Sequence, residues 1–395
     1  MTQLARLLVG LIMLGISHGG PPPEVATRHH VPGDQSVRAV IAPRDVPDVA
    51  PSDVAVAAEE SDSDPGVWAS AVRGLPMGRP LRLAYYFPQD SASFDSLRAN
   101  IRHLDVVAPH WLTIDATGSV ESIEGPQAVA FLHGSSALVL PSVALTSKRA
   151  GHAIVTDAEV QSEALGELVA AAEPWDGLAL DFEGLDPDDR GALSDFINQL
   201  GTSLHEQRKL FAIALPAKTR DTTTGWAGAY DYAAIASSAD LFLVMAYGFR
   251  TGSSGTPGST APLPWVDASM AYAASVIDPN RLILGVPFYG YDWNVTRGPP
   301  ARALRYRDVR DLLDRTGAVP YIDPESASAT FEYFDGEQQH EVWYEDERSL
   351  AAKLNLVRKY ALRGVGAWRL GQEDPKAWVV WDQVMAVPFV NAQLP

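Results

Sequence analysis

The chain has 395 residues, of which 46% are hydrophobic and 20% are charged, enough for one large globular domain or two ordinary ones. Its formal net charge of −18 excludes nucleic acid as an expected partner, because an acidic surface repels phosphate backbones. The absence of cysteine excludes disulfides, thiolate metal sites and a cysteine nucleophile.

The first residues of the chain have the pattern of an export signal. Arg6 supplies a positive charge, an apolar run follows over residues 7–16, and Ser17 and Gly19 have the spacing of a signal-peptidase site. The run is too short to span a bilayer comfortably. We therefore predict a signal peptide at residues 1–19, a secreted or cell-envelope location and no stable membrane insertion. A retained N-terminal anchor is the alternative.

The next segment, residues 20–79, is rich in Pro, Ala, Val, Asp and Ser and has no sustained helical or strand period. Prolines at this density interrupt both helices and strand ladders. We predict a mostly disordered linker here and a single folded region over residues 80–391.

From Leu81 onwards, short apolar runs alternate with longer amphipathic stretches. Runs rich in Val, Ile and aromatic residues are typical of parallel strands that are covered on both faces. Eight such runs alternating with helices predict an α/β fold, the (β/α)8 TIM barrel. The predicted strands are Leu81–Phe87, Leu104–Ile114, Ala137–Ala144, Gly177–Phe182, Leu210–Leu215, Leu241–Tyr247, Leu282–Tyr289 and Gly364–Leu370. The predicted helices are Ser93–Arg102, Asp157–Ala172, Asp188–Gln207 and Asp267–Ile277.

The connection between the seventh and eighth strands is longer than a single helix. About residues 292–344 contain a helical stretch, Tyr306–Thr316, and two strand-like runs, Thr330–Phe334 and Glu341–Tyr344, on either side of an Asp-Gly turn. Such a pattern predicts a hairpin. We therefore expect a small α+β insertion at the carboxyl-terminal mouth of the barrel, where barrel enzymes bind their substrates.

The fourth predicted strand carries the strongest chemical signal. Strand geometry sends alternate side chains to opposite faces, so Ala179, Asp181 and Glu183 point into the barrel. Two inward acids on a buried strand are costly unless they are paired or functional. Burial and mutual repulsion should raise the pKa of at least one of them, as a general acid requires. Strand-end acids that cap the next helix are the alternative.

Four motifs at successive strand ends resemble those of the family 18 glycoside hydrolases, the chitinase-like family. The resemblance covers roughly residues 81–387. The family pattern on strand four is Asp-Gly-x-Asp-x-Asp-x-Glu. The matching segments are residues 176–183 on strand four, Met-Ala-Tyr at 245–247, Gly-Val-Pro-Phe-Tyr-Gly at 285–290 and Gly-Ala-Trp at 366–368.

The chain departs from the family pattern at two positions. Ala179 stands in place of the middle aspartate of strand four, and Gly248 stands where an aspartate often follows the tyrosine. Spore-cortex glucosaminidases of the family often have a non-acidic residue at a comparable strand-four position, and residues 342–346 look closer to theirs than to those of typical chitinases. The resemblance therefore implies a cell-envelope subgroup.

The resemblance implies a retaining glycosidase that needs no metal or cofactor and acts on an N-acetylated glycan. Glu183 would protonate the leaving oxygen, Asp181 would orient the acetamido group, and Tyr247 would hydrogen-bond its oxygen. The further expected substrate-binding residues are Trp368 as the floor beneath the sugar, together with Tyr86, Met245, Tyr289 and Asp176. The tryptophans expected to stack on flanking sugars are Trp111, Trp226, Trp265 and Trp343. A monomer is expected, and the competing hypotheses are a lectin-like barrel and a structural envelope protein.

Overall fold

The computed structural model describes residues 75, 76 and 78–385, in which eight parallel strands close into a barrel with helices around it. Each strand pairs in parallel with the next, and the eighth also pairs with the first. The predicted (β/α)8 barrel is therefore confirmed. The barrel strands are β1 (Leu81–Tyr86), β2 (Val106–Ile114), β3 (Ser142–Leu145, after a short piece at Leu138–Val139), β4 (Gly177–Asp181), β5 (Leu210–Pro216), β6 (Leu241–Met245), β7 (Leu282–Pro287) and β8 (Gly364–Trp368).

Alternation along the strands divides the apolar residues between two cores. Leu83, Leu243 and Ile283 fill the inside of the barrel, whereas Leu178 and Leu180 pack outwards in the layer between strands and helices. This separation follows from the two-residue period of a strand that is buried on both faces. It leaves the inner face of β4 to small and acidic side chains.

The described helices outside the barrel range from 4 to 17 residues in length. Asp157 starts one of them, because its carboxylate accepts hydrogen bonds from the N–H groups of Glu159 and Val160. No helix in the described part of the chain is long and apolar enough to cross a membrane. The helices are Ser91–Asn100, Pro126–His133, Lys148–Thr156, Ala158–Ala172, Arg190–Glu206, Tyr232–Ile235, Leu263–Val276, Glu347–Lys359 and Ala377–Met385.

The segment between β7 and β8 forms the expected α+β insertion. One helix, Tyr306–Thr316, packs its apolar side on a five-stranded antiparallel sheet through Val309, Leu312, Phe331 and Val342. The predicted hairpin is formed by the last two strands in chain order. The strands of this sheet are Tyr289–Asn294, Arg302–Arg305, Tyr321–Ile322, Ala329–Asp335 and Gln338–Tyr344.

A buried ion pair joins the insertion to the helix that follows it. Lys353 Nζ lies 2.8 Å from Glu345 Oε2, and the two side chains are 0% and 3% exposed. Ser328 of the insertion bridges this pair to Ser259, whose hydroxyl lies 2.6 Å away on the loop after β6. The position of the insertion over the barrel therefore depends on polar contacts that are hidden from water.

The folded part of the chain begins earlier than residue 80. Leu75 is only 5% exposed and belongs to the inner core at the amino-terminal ends of the strands. Arg363 donates a hydrogen bond of 2.6 Å to the carbonyl of Pro76, and Arg79 forms an ion pair with Asp105. The predicted boundary at residue 80 is therefore too late, because the preceding residues pack on the barrel. The predicted signal at 1–19, the rest of the linker and residues 386–391 lie outside the described residues.

Candidate active site

Two acids stand at the carboxyl end of β4, where the strand opens into the mouth of the barrel. Asp181 is the last residue of the strand and is 3% exposed, and Glu183 follows two residues later. Among the described residues, Asp181 Oδ1 has no hydrogen-bond partner although it is buried. Gly184, with φ of +81°, lets the chain turn immediately after Glu183. The site therefore holds a carboxylate oxygen that is free to accept a hydrogen bond.

Burial dominates the electrostatics of this pair. It raises the pKa of Asp181 and the pKa of Glu183 above those of ordinary carboxyl groups, and the charge of Asp181 raises the pKa of Glu183 further. Two carboxyl groups so close together lose their protons in coupled steps. A protonated carboxylic acid near neutral pH can donate its proton to a leaving group.

Tyr247, which follows β6, is held in place by Tyr289 at the start of the insertion sheet and has room for its ring beside β7. The Tyr289 hydroxyl donates a hydrogen bond of 2.7 Å to the carbonyl of Tyr247. A side-chain Cβ at Gly285 would lie 2.9 Å from Tyr247 Cε1, so a glycine there leaves room for the ring. Burial, as the largest cause, raises the pKa of Tyr247 well above its usual value. The Tyr247 hydroxyl is therefore a neutral hydrogen-bond donor.

Trp368 at the end of β8 packs on Tyr85 rather than on Tyr86. The Tyr85 and Trp368 rings lie 5.1 Å apart inside the barrel. The Tyr86 ring instead packs in the outer core, 6.3 Å from Trp111. The predictions for Tyr86 and for Trp111, which is 1% exposed, are therefore wrong, because both rings point towards the helices. Strict alternation from Leu83 would have identified Tyr85.

Asp176 lies at the opposite end of β4 from the two acids. It directly precedes the strand, and its Oδ2 accepts a hydrogen bond of 2.7 Å from the N–H of Val139. The expectation that Asp176 binds substrate is wrong, since it sits at the amino-terminal face of the barrel. Its carboxylate joins the beginnings of β3 and β4, which is a structural role.

The combination of two coupled acids, a neutral tyrosine and an apolar indole is suited to acid–base chemistry on an uncharged substrate. The described residues include no group of three His, Asp or Glu side chains arranged to hold a metal ion. A profile of the family described as glycosyl hydrolases family 18 matches residues 160–373, more than half of the chain. The chain belongs to glycosyl hydrolase family 18.

Relatives within this glycosidase family include enzymes of Bacillus subtilis. The chain is 34% identical to the uncharacterized glycosylase YvbX over 212 residues, which cover 53% of this chain and 61% of YvbX. It is 32% identical to the cortical fragment-lytic enzyme over 241 residues, which cover 59% of this chain and 56% of that enzyme. The matches thus span a little over half the length of these curated relatives.

Solved structures of the family share the fold. A chitinase from Chromobacterium violaceum aligns with a TM-score of 0.73 at 30% identity, covering 78% of this chain and 99% of the chitinase. The spore cortex-lytic enzyme SleL from Bacillus megaterium aligns with a TM-score of 0.72 at 27% identity, covering 78% of this chain and 75% of SleL. The resemblance inferred from the four strand-end motifs is therefore confirmed.

The two positions that depart from the family 18 pattern differ in their surroundings. Ala179 is buried inside the barrel directly opposite Ser142 of β3. Gly248 is exposed after Tyr247, and a Cβ there would meet no atom within 4 Å. The site therefore lacks two carboxylates that the pattern often has, while Asp181 and Glu183 remain.

The other residues predicted to contact the sugar are distributed over the inner core, the outer core and the insertion sheet. Met245 is half-buried beside the inner core, at the end of β6. The Trp343 indole donates a hydrogen bond to Glu341 on the insertion sheet. Trp226 and Trp265 are partly buried against the outer core. Their roles in binding sugar remain predictions.

Proposed function

We propose that this family 18 chain hydrolyses β-linked polysaccharide containing N-acetylglucosamine, with retention of configuration and with the substrate's own acetamido group as the nucleophile. The observation that carries this proposal is the pair at the end of β4: a glutamic acid of raised pKa beside a buried aspartate with an unpartnered oxygen. The family is an exception to catalysis by two carboxylates, one of them a nucleophile.

The first step would break the glycosidic bond. Protonated Glu183 donates its proton to the leaving oxygen while the acetamido oxygen attacks the anomeric carbon to form an oxazolinium ion. Asp181 accepts the acetamido N–H through Oδ1 and offsets the positive charge, and the Tyr247 hydroxyl donates to the acetamido oxygen. The Trp368 indole gives the sugar ring an apolar floor.

The second step would restore the enzyme. The Glu183 carboxylate takes a proton from water, and the resulting hydroxide attacks the anomeric carbon and opens the oxazolinium ion. Two successive displacements at one carbon give retention. Because the acetamido group is the nucleophile, only a sugar that is N-acetylated at the cleaved position should react.

The substrate is proposed from the relatives. A cortical fragment-lytic enzyme and a spore cortex-lytic enzyme among them favour peptidoglycan, and a chitinase keeps chitin in consideration together with poly-glucosamine. These names also support the proposed location outside the cytoplasm. The proposed acting form is a monomer.

The test measures the release of sugar reducing ends from three substrates. Two are acetylated, an oligomer of β-linked N-acetylglucosamine and muropeptides, and the third is the same oligomer after complete de-N-acetylation. Only the acetylated substrates should be cleaved, and Glu183→Gln should lower the rate by about 10²–10⁴-fold. Glu173→Gln, an exposed glutamate at a helix end, is the matched control and should keep the wild-type rate. Equal cleavage of both oligomers would exclude substrate assistance. Binding of acetylated sugar without cleavage would favour the lectin-like alternative.

A further inference from the structure

A buried histidine lies inside the barrel beside the proposed floor of the site. His110 on β2 is 2% exposed, and its Nδ1 lies 2.9 Å from the Ser142 hydroxyl on β3. Its other ring nitrogen, Nε2, is buried and has no hydrogen-bond partner within the described structure. The histidine is thus anchored at one nitrogen only, and the mechanism proposed above does not use it.

The ring of His110 is packed between two aromatic side chains. It stacks on Phe87, with centroids 5.7 Å apart and an interplanar angle of 22°, and it meets Trp368 at 5.8 Å and 88°. Perpendicular rings place the positive edge of one against the negative face of the other, which is a favourable arrangement. His110 therefore contacts the same indole that we expect beneath the sugar.

Phe87, the ring on which His110 stacks, also contacts a guanidinium that is held by an ion pair. The guanidinium of Arg369 lies 4.5 Å from the centroid of the Phe87 ring and forms an ion pair of 2.9 Å with Asp90. Arg369 is the residue that follows Trp368 in the chain. Phe87 therefore contacts both the Arg369 guanidinium and the His110 ring.

His110 has the properties of a support and not of an acid or base. Burial, assisted by the charge of Arg369, lowers the pKa of His110 to about 4, so the imidazole is neutral at ordinary pH. Ser142 faces Ala179 across the strands, so no carboxylate at position 179 competes for its hydroxyl. The hydroxyl is available to hold His110 in one orientation.

We propose that His110 is a positioning residue that holds the Trp368 indole in the orientation needed beneath the reacting sugar, with Ser142 fixing the imidazole and Phe87 supporting its other side. This inference rests on the proposed function of Trp368 as the floor of the site. It is distinct from that function, because His110 would act through the indole that it contacts.

The kinetic test is a double-mutant cycle on the acetylated oligomer. His110→Ala should lower kcat/KM by about 10²-fold, because small misplacements in an active site have effects of that size. In a Trp368→Ala background, the same His110→Ala change should alter kcat/KM by less than about threefold, since the indole it supports is gone. Additive effects of the two substitutions would overturn the proposal.

A spectroscopic measurement makes the test independent of turnover. His110→Ala should change the near-ultraviolet circular dichroism of the wild-type chain, and should change it far less in a Trp368→Phe background. Equal spectral changes in both backgrounds would overturn the positioning role. A background-dependent change in a chain that cleaves no acetylated glycan would support the positioning role while contradicting the proposed function.

Two further variants separate positioning from stability. His110→Phe keeps an aromatic ring against Trp368 but loses the bond to Ser142, and it should keep kcat/KM within about tenfold of wild type. A loss as large as that of His110→Ala would contradict the role of the ring. His205→Ala removes another buried histidine, which pairs with Asp240 at 3.0 Å, and should lower the melting temperature without a background-dependent change in kcat/KM.

Discussion

The pair of acids at the end of β4 links burial to chemistry at the scale of single residues. Asp181 is the buried last residue of β4, and Glu183 follows two positions later and is partly buried. Burial raises the pKa of both carboxyl groups. Neither a solvent-exposed pair nor an isolated glutamate would have this property. The proton on Glu183 is therefore maintained by the barrel and by its neighbour together.

This coupling predicts a pH effect of Asp181 on Glu183. Glu183 must be protonated to act as an acid, so activity should fall as pH rises through its raised pKa. Asp181→Asn removes the negative charge that raises this pKa. The alkaline limb of the kcat/KM profile should therefore move to lower pH in that variant, in addition to a lower maximum. An unchanged limb, with Glu173→Gln as the control profile, would contradict the coupling.

The raised pKa of Glu183 also makes the stability of the folded chain decrease as pH rises. A carboxyl group whose pKa is raised by folding stabilises the folded state at low pH, and this contribution is lost as pH rises from the ordinary value of 4.5 through the raised pKa. Across that interval, the wild-type chain should lose more stability than Glu183→Gln, as measured by urea unfolding at a series of pH values.

Alternation explains which site residues could be predicted from the sequence. It predicted Ala179 and Asp181 on the inner face of β4, because a buried strand has a strict period of two, and both are buried at the positions expected. Glu183 follows the end of the strand, and its role stays a prediction. On β1 the same period, counted from Leu83, directs Tyr85 inwards and Tyr86 outwards, as the structure shows. His110 gave no local signal, because its importance comes from rings on other strands.

At the scale of elements, the buried Lys353–Glu345 pair couples the insertion to the barrel. Burial raises the pKa of Glu345, and the neighbouring Lys353 charge opposes that shift. Removing one partner of a buried pair leaves an uncompensated charge in the interior. The insertion also contributes Tyr289, whose hydroxyl donates a hydrogen bond to the backbone carbonyl of Tyr247. The Lys353–Glu345 pair therefore helps to hold an element that contacts the candidate site.

Lys353→Met should therefore lower the free energy of unfolding by about 3–5 kcal/mol. Exchanging both partners, as Lys353→Met with Glu345→Leu, should recover most of this loss, because two apolar groups need no compensation. Lys359 lies on the same helix as Lys353 and forms an exposed pair with Asp267 of the helix Leu263–Val276. Lys359→Met is therefore the matched control and should change the unfolding midpoint little. Urea unfolding measures all three, and equal effects at Lys353 and Lys359 would contradict this view.

The hydrophobic period of the sequence predicted some helices at or near their observed bounds and did not predict others. The insertion helix was predicted at the bounds that the structure shows, Tyr306–Thr316, because its apolar residues recur with a clear helical period. The helices Pro126–His133 and Lys148–Thr156 were not predicted, since each spans only two to three turns. Over so short a length, the apolar pattern does not distinguish a helix from a loop.

At the scale of the whole molecule, the residues just before β1 cover the lower end of the barrel, which is the end where the strands begin. Leu75 adds an apolar side chain to the inner core there, and Arg79 pairs with Asp105. The composition of this stretch gave no indication of packing, because its few apolar residues are interspersed with proline and glycine. The contacts that order it come from Arg363 and Asp105, which are distant in sequence.

A chain that starts at Gly74 should therefore be more stable than one that starts at Pro80. Losing the buried Leu75 side chain alone should cost about 2–5 kcal/mol. Thermal unfolding of the two shortened chains and of Leu75→Ala in the longer one measures this difference. Identical melting temperatures for the two shortened chains would show that the segment before Pro80 does not stabilise the barrel.

The lower end of the barrel is also where the last helix is attached. Arg82, at the beginning of β1, forms an ion pair of 2.9 Å with Asp382 of the helix Ala377–Met385, and His103 lies 2.8 Å from the same carboxylate. The chain thus enters and leaves the described structure at the face opposite Glu183. A solid support attached directly at the first or the last described residue would therefore lie on the face opposite the mouth and leave the mouth open to glycan strands.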